Sequence, residues 1–134
     1  MANTLTTKRH STSQKTALIT NDAVVGLSGT AAVVLTEVDS TTYDRATIQI
    51  KHGVSTGTPT LTAKVWGTLF DSAGTVGGAS WTQIGDDITI TNASSALKSI
   101  STTGLMKIGV TMVTASGTPN FTAEYCKLFL QGTI

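Results

Sequence analysis

The sequence predicts an all-β protein, a β-sandwich or jelly roll with an extended N-terminal arm. Charged residues make up only 13% of the 134 residues, against about a quarter in a typical soluble domain. Thr, Val, Ile and Gly are abundant, and these residues favour pleated strands and tight turns. Short alternating runs with turn residues between them indicate about eight strands, as in a two-sheet sandwich.

A strand-loop-strand unit occurs twice, at residues 45–66 and at residues 105–126. Both copies carry Gly-Thr-Pro in the loop, and Ile48 of the first copy corresponds to Ile108 of the second. In each copy apolar and polar residues alternate, as expected for strands with one buried face. We therefore predict two long β-hairpins that occupy equivalent places in the two sheets, with Ile48 and Ile108 in the core.

Residues 1–16 are predicted to form the arm, and residues 17–134 the sandwich domain. The arm has almost no apolar side chains to bury, so any fixed conformation must come from contacts outside it. Its positive charges at Lys8, Arg9 and Lys15 suit an acidic protein surface. The arm is thus predicted to be a tether, and the alternative is a solvated tail.

The remaining predicted strands follow from shorter patterns. Apolar runs indicate the early strands, and alternation indicates the later ones. The Gly-rich residues 71–80 are predicted to form an exposed loop. The predicted strands outside the repeats are 17–19, 23–25, 31–35, the residues around Ile84, 88–90 and 97–100.

The last predicted strand is apolar on both of its faces. By analogy with the first repeat, Phe129 continues the core face, which places Leu128 and Leu130 on the opposite face. An apolar strand face of this kind is usually covered. We predict that Leu128, Leu130 and Ile134 form an interface with another subunit, and the alternative is an intramolecular lid.

Trp66 and Trp81 are the candidate ligand or partner face. An exposed Trp ring beside Asn, Asp and Gly loops provides a large contact area at a low cost in entropy, and such rings bind sugars and protein partners. The alternative, of equal weight, is that both rings cap the edges of a core that is poor in aromatic residues.

The sequence has no pattern that indicates catalysis or a cofactor. The segments around Ser28 and Ser80 lack the Gly-x-Ser-x-Gly spacing of a nucleophile elbow. Cys126, the single cysteine, has no Cys or His partner at zinc-ligand spacing, and it excludes an internal disulfide. A net charge of +1 gives no reason to expect a nucleic-acid partner, and no apolar stretch is long enough to span a membrane. We expect neither enzymatic activity nor a cofactor.

A Thr-, Ser- and Gly-rich sandwich led by a polar arm resembles the small virion proteins of tailed bacteriophages, and it is most similar to capsid decoration or cement proteins. The resemblance implies an assembly role on a virion, after synthesis in the host cytoplasm. It also implies partners: further copies of the chain, for example as a trimer, and the major capsid protein or another virion protein. The alternative function is a carbohydrate- or receptor-binding module of a phage tail or fibre, with Trp66 and Trp81 at its binding face.

Overall fold

The computed structural model of the chain has ten β-strands in its described residues, arranged in two antiparallel sheets, and no helix in those residues. This confirms the predicted all-β class and the β-sandwich. The structure describes residues 14–21, 25–27, 32–52, 60–91, 94–114 and 121–133. In chain order the strands are β1 (Gln14–Asn21), β2 (Val25–Leu27), β3 (Val33–Asp39), β4 (Arg45–His52), β5 (Leu61–Thr68), β6 (Thr82–Gln83), β7 (Ile88–Ile90), β8 (Ser95–Ser101), β9 (Lys107–Thr114) and β10 (Phe121–Thr133).

The two sheets have different strand orders and share one core. The front sheet has the order β1-β10-β4-β8, and β2 also pairs with β10. The back sheet has the order β3-β9-β5-β6, and β7 also pairs with β5. All pairs are antiparallel.

The repeated units are not hairpins, because the two strands of each unit lie in different sheets. In the first unit β4 pairs with β8 and β10 of the front sheet, whereas β5 pairs with β9 of the back sheet. In the second unit β9 lies in the back sheet and β10 in the front sheet. Each unit is therefore an arch over the core. The hairpin prediction is wrong, because an alternating pattern fits strands in two different sheets as well as a hairpin. The two units are therefore not placed as one hairpin in each sheet; each sheet instead holds one strand of each unit.

The inward faces of both sheets form one hydrophobic core. Ile48 and Ile108 are both buried, which confirms their predicted positions. Burial of each such side chain contributes about 1.5–3 kcal/mol to folding. The core residues are Leu35, Ala46, Ile48, Ile50, Leu61, Ala63, Val65, Ile90, Ile100, Ile108, Val110, Met112, Cys126, Leu128 and Leu130.

A β-bulge in β10 decides which side chains of this strand face the core. Ala123 pairs with His52 and Tyr125 pairs with Lys51, so β10 has one residue more than β4 at this point. One inserted residue moves every later side chain to the other face of the sheet.

Beyond the bulge Leu128 is 0% exposed and Leu130 1% exposed, whereas Phe129 points outward and is 38% exposed. Side chains that lie in the core cannot form a contact surface. The predicted interface at Leu128 and Leu130 is therefore wrong. Ile134, the third member of that prediction, lies outside the described residues.

Strand β1 begins within the segment that is predicted to be the arm. Gln14 pairs with Thr133, and Lys15 pairs with Gly132. Residues 14–16 thus belong to the front sheet rather than to an arm. Lys8 and Arg9 lie outside the described residues.

Candidate functional site

The outer face of the back sheet is covered by a long loop, residues 69–81, which we call the covering loop. Val76 in this loop is buried against the sheet. A Cβ atom added to Gly109 of β9 would lie 2.5 Å from Val76 Cγ1, so only glycine leaves room for this close approach. The prediction of an exposed loop at residues 71–80 is thus wrong for Val76, which packs on the sheet as a core residue does.

Both tryptophans take part in fixing the covering loop. Trp66 projects outward from β5 and donates a hydrogen bond from Nε1 to Thr111 Oγ1 at 2.8 Å. Gly77 lies beside its ring and has a φ of 86°, a conformation that favours glycine. Trp81, at the end of the loop, is only 5% exposed and donates from Nε1 to the Gly74 carbonyl oxygen at 3.4 Å.

These contacts decide between the two interpretations of the tryptophans. A ligand face requires accessible rings, and Trp81 is buried, so the prediction that it forms such a face is wrong. Trp66 is half-buried, and its N–H group is already bonded within the chain. The rings instead cap a small second core between the covering loop and the back sheet.

An apolar groove lies where β5 ends and the covering loop begins. Leu69 and Phe70 are 69% and 59% exposed, although large apolar side chains usually avoid such exposure. The buried Thr68 fixes their backbone, because its Oγ1 donates to the Ser80 carbonyl oxygen and accepts from the Phe70 N–H. The groove has a volume of about 270 Å³ and is lined by Gly67, Thr68, Leu69, Phe70, Ser80, Thr82 and Leu105.

The outer face of the front sheet carries no covering segment from the described part of the chain. Its side chains are those that alternate with the core residues of β4, β8 and β10. Leu97 of β8 is 70% exposed, and Phe129 of β10 lies two strands away. Small hydroxyl residues lie between them; Thr47 Oγ1 and Ser99 Oγ are 3.3 Å apart.

The described charged side chains on the front face are all basic. They are Arg45, Lys51 and Lys127, and neither Lys51 nor Lys127 is without an interaction partner in the chain. Arg45 donates from Nη1 to the neutral Ser99 Oγ at 3.3 Å.

The back face and its covering loop carry more carboxylates than ammonium groups. Two ion pairs lie here: Lys107 Nζ is 3.5 Å from Glu37 Oε2, and Lys64 Nζ is 3.7 Å from Asp87 Oδ1. Four carboxylates less two ammonium groups leave a charge of −2. The carboxylates are Glu37, Asp39, Asp71 and Asp87, and all are exposed.

The described residues also limit the chemistry that these surfaces can perform. No three His, Cys, Asp or Glu side chains among them are close enough to share a metal ion. Burial raises the pKa of the Cys126 thiol to about 12, so the reactive thiolate does not form at neutral pH. None of the described segments forms a helix that is long and apolar enough to cross a membrane.

No known family profile matches the sequence, and no curated protein has a matching sequence. Several solved structures nevertheless share the fold. A protein of Bacillus endospore appendages, which form disulfide-linked pili, has a TM-score of 0.51 and 16% identity over 90% of this chain and 91% of its own. YomS, derived from the SPBc2 prophage, has a TM-score of 0.55 and 12% identity over 89% of this chain and 95% of its own.

A third similar structure is VP2 in a subviral particle of infectious bursal disease virus. Its TM-score is 0.53, with 15% identity over 87% of this chain. The present chain spans only 32% of the length of that viral chain. At these identities the likeness is one of fold, and the sandwich seen here is thus a fold that also occurs in virus particles and in pili.

Proposed function

We propose that this chain is a non-enzymatic structural protein of a virion, which decorates or cements the shell through protein–protein contacts. The observation that carries the proposal is the group of large apolar side chains left exposed by an otherwise well-packed sandwich. Leu69 and Phe70 project beside a groove, and Leu97 and Phe129 project from an open sheet. Exposed apolar residues of this kind favour a role in contacts with other proteins. The fold shared with a virus-particle protein and a prophage-derived protein supports this choice.

The proposed role of the arm is that of a tether. Residues 1–13 precede β1, an edge strand that pairs with β10 on one side. An extended segment can add to the free edge of a sheet in a neighbouring protein, where backbone hydrogen bonds supply the affinity. In this proposal Lys8 and Arg9, together with Lys15 at the start of β1, meet acidic groups of the shell.

The proposed assembly is noncovalent. The endospore appendage proteins are described as disulfide-linked, but the single cysteine here, Cys126, is buried among core residues of the sandwich. We predict that this thiol does not react with a thiol-specific chromogenic reagent at pH 8 in the native protein and reacts fully in 6 M guanidinium chloride. Rapid reaction of the native protein would contradict the prediction, because it would require an accessible thiolate.

The proposed contact surface can be tested on particles that were assembled without this protein. Purified full-length protein is added, and its occupancy is measured by quantitative electrophoresis of the washed particles. We expect the double variant Leu69→Asp/Phe70→Asp to lose at least tenfold in apparent affinity, because carboxylates would have to be desolvated in the contact. Thr103→Asp, also exposed and in the neighbouring loop, is the matched control and should bind normally.

The tether is tested on the same particles with a variant that lacks residues 1–13. We expect the same melting temperature and lower occupancy. Equal occupancy would contradict the tether while leaving the groove contact intact. If the full-length protein fails to bind particles at all and is absent from native virions, the proposed function itself is wrong.

A further inference from the structure

We propose that the groove at the end of β5 binds the arm of the same chain, which places Leu5 in the groove until a shell protein displaces it. The inference rests on the proposed function, in which the groove and the arm both contact the shell, and it adds an autoinhibitory contact between the two. It follows from the chemistry of the groove, from the point at which the arm leaves the sheet, and from the charges beside each of them.

The groove is suited to an apolar occupant about the size of a side chain. Leu69 and Phe70 are exposed by more than half, and the Thr68 hydroxyl between them and the sheet already bonds within the chain. The volume of about 270 Å³ is below the roughly 300–1,000 Å³ of most small-molecule pockets. A single large side chain with its neighbouring backbone therefore fits the groove better than a cofactor-sized ligand does.

Strand β1 begins at the end of the sandwich where the groove lies. Thr16 of β1 pairs with Gln131 of β10. The Gln131 carbonyl oxygen accepts a hydrogen bond from the Asp44 N–H at 2.8 Å, and the Asp44 carbonyl oxygen accepts one from the Thr102 N–H at 2.8 Å. The Thr102 carbonyl oxygen accepts one from the N–H of Leu105 at 3.0 Å, and Leu105 lines the groove. A continuous path of backbone contacts thus leads from β1 to the groove.

The arm is long enough to reach the groove of its own copy. Residues in a hydrogen-bonded pair have Cα atoms about 5.5 Å apart, so the four contacts of this path span roughly 22 Å. The nine residues from Leu5 to Gln14 span roughly 30 Å when extended. A segment tethered at such a distance has an effective concentration in roughly the millimolar range. At lower protein concentrations the arm therefore meets its own groove before that of a second copy.

The arm carries an apolar residue and positive charges at a spacing that suits the groove and its rim. Leu5 and Met1 are the large apolar residues of the segment 1–13, and Lys8 and Arg9 follow Leu5 closely. Asp71, directly after Phe70, is exposed and belongs to neither ion pair between the described residues. With Leu5 in the groove, the basic pair can face this carboxylate, and such complementarity favours one direction of the arm.

The contact should be weak and reversible. Ordering the arm costs conformational entropy for each fixed residue, which offsets much of the free energy gained by burying Leu5. A weak contact suits a segment that must leave the groove when the shell binds there. The arm should also leave the groove well below the melting temperature, so the contact is compatible with an unchanged melt after deletion of residues 1–13.

The first test measures access to the groove with Nile red, an uncharged dye that fluoresces on apolar surfaces. We expect Leu5→Asp to raise the emission at least threefold over the unchanged protein, because the arm then leaves the groove open. Thr4→Asp adds the same charge on the other side of an extended segment and is the matched control, with no expected increase. In the Leu69→Asp/Phe70→Asp background, Leu5→Asp should have no effect. Circular dichroism melts verify that each variant is folded.

The second test measures the contact directly with an engineered disulfide, formed in oxidised glutathione at about 5 µM protein. Leu5→Cys/Leu69→Cys should form a disulfide within one copy at least tenfold faster than Leu5→Cys/Leu97→Cys. Leu97 is the matched control because it is equally exposed and lies about 20 Å from Thr16, three strands away in the front sheet. The native Cys126 is buried and does not compete. Adding Asp71→Lys to the first pair should slow its disulfide at least threefold at low salt.

Other outcomes would overturn the inference. Equal dye emission in Leu5→Asp, Thr4→Asp and the unchanged protein, or equal disulfide rates for the two cysteine pairs, would show that the arm does not bind the groove. A disulfide that forms mainly between two copies would assign the groove to the arm of a neighbour instead. Failure of both tests with normal occupancy on particles would leave the proposed virion role standing. Success of both tests without any binding to particles would remove that role and leave the contact.

Discussion

Both sheets are five-stranded and antiparallel, but a loop covers the outer face of the back sheet, whereas no described segment covers that of the front sheet. On the back face, Gly109 and Trp66 receive a loop that buries Val76 and Trp81. On the front face, the corresponding places hold Thr, Ser, Gln and basic residues, and Leu97 is exposed. The back face therefore contributes buried side chains to the stability of the chain, whereas the described residues leave the front face uncovered. Substitutions on the back face should therefore lower the free energy of unfolding more than equal substitutions on the front face.

The largest expected difference is between the two faces' large apolar residues. Trp81→Ala should lower the free energy of unfolding by about 3–5 kcal/mol, because it removes a buried aromatic ring and leaves a cavity under the covering loop. Leu97→Ala on the front face should change it by no more than about 0.5 kcal/mol. Urea unfolding followed by circular dichroism measures both. Similar values for the two variants would show that the loop adds nothing to stability.

A second prediction concerns the close approach at Gly109. Gly109→Ala should destabilise the protein by about 1–3 kcal/mol, because the added Cβ overlaps the Val76 side chain and forces the loop outward. Val76→Ala removes the overlapping methyl groups. The double variant should therefore be more stable than the sum of the single effects predicts. Strictly additive effects of the two substitutions would contradict the contact between Gly109 and Val76.

Much of this architecture could be predicted from alternation alone. The repeat places Ile48 and Ile108 on the core face, and both are buried. The same alternation does not specify pairing partners, because a strand with one buried face satisfies its pattern in either sheet. Alternation alone therefore cannot distinguish a hairpin within one sheet from two strands in different sheets.

The error in β10 has a different physical cause. The bulge between Ala123 and Tyr125 has no glycine or proline to indicate it, and it exchanges the two faces of the strand. The sequence does contain a signal: apolar residues move from odd positions, such as Phe121, to the even positions Leu128 and Leu130. Such a change from odd to even apolar positions within one strand is explained by an inserted residue as well as by a strand that is apolar on both faces and forms an interface.

The candidate surfaces were harder to predict than the core. The exposed Leu69 continues the apolar alternation of β5 beyond the end of the strand, so alternation alone would place it on the core face. The covering loop depends on Gly109 and Val76, which are far apart in sequence and join only when the sheet forms.

A third prediction compares one hydrogen bond on each face. Thr111→Val should lower the free energy of unfolding by about 1 kcal/mol, since it leaves the half-buried Trp66 Nε1 without its hydrogen-bond acceptor. Thr47→Val removes an exposed contact with Ser99 on the front face and should be close to neutral. Urea unfolding measures the cost, and a shift in tryptophan emission should accompany only the first variant. An emission shift in Thr47→Val would contradict the separation of the faces.

The smallest expected effects concern the charged residues. Lys107→Gln and Lys64→Gln each remove one partner of an exposed ion pair on the back face, and each should cost about 0.2–1 kcal/mol at low ionic strength. In 1 M salt the screening length falls to about 3 Å, and the cost should nearly vanish. Urea unfolding at dilute protein concentration, in 20 mM and 1 M salt, measures the difference.

Arg45→Gln is the matched variant on the front face. Among the described residues, the Arg45 guanidinium donates to the neutral hydroxyl of Ser99. The substitution should therefore lower the free energy of unfolding by a similarly small amount, and this amount should not change with salt. Salt-dependent destabilisation in this variant would contradict the expectation, because it would require a carboxylate partner for Arg45 within the same chain.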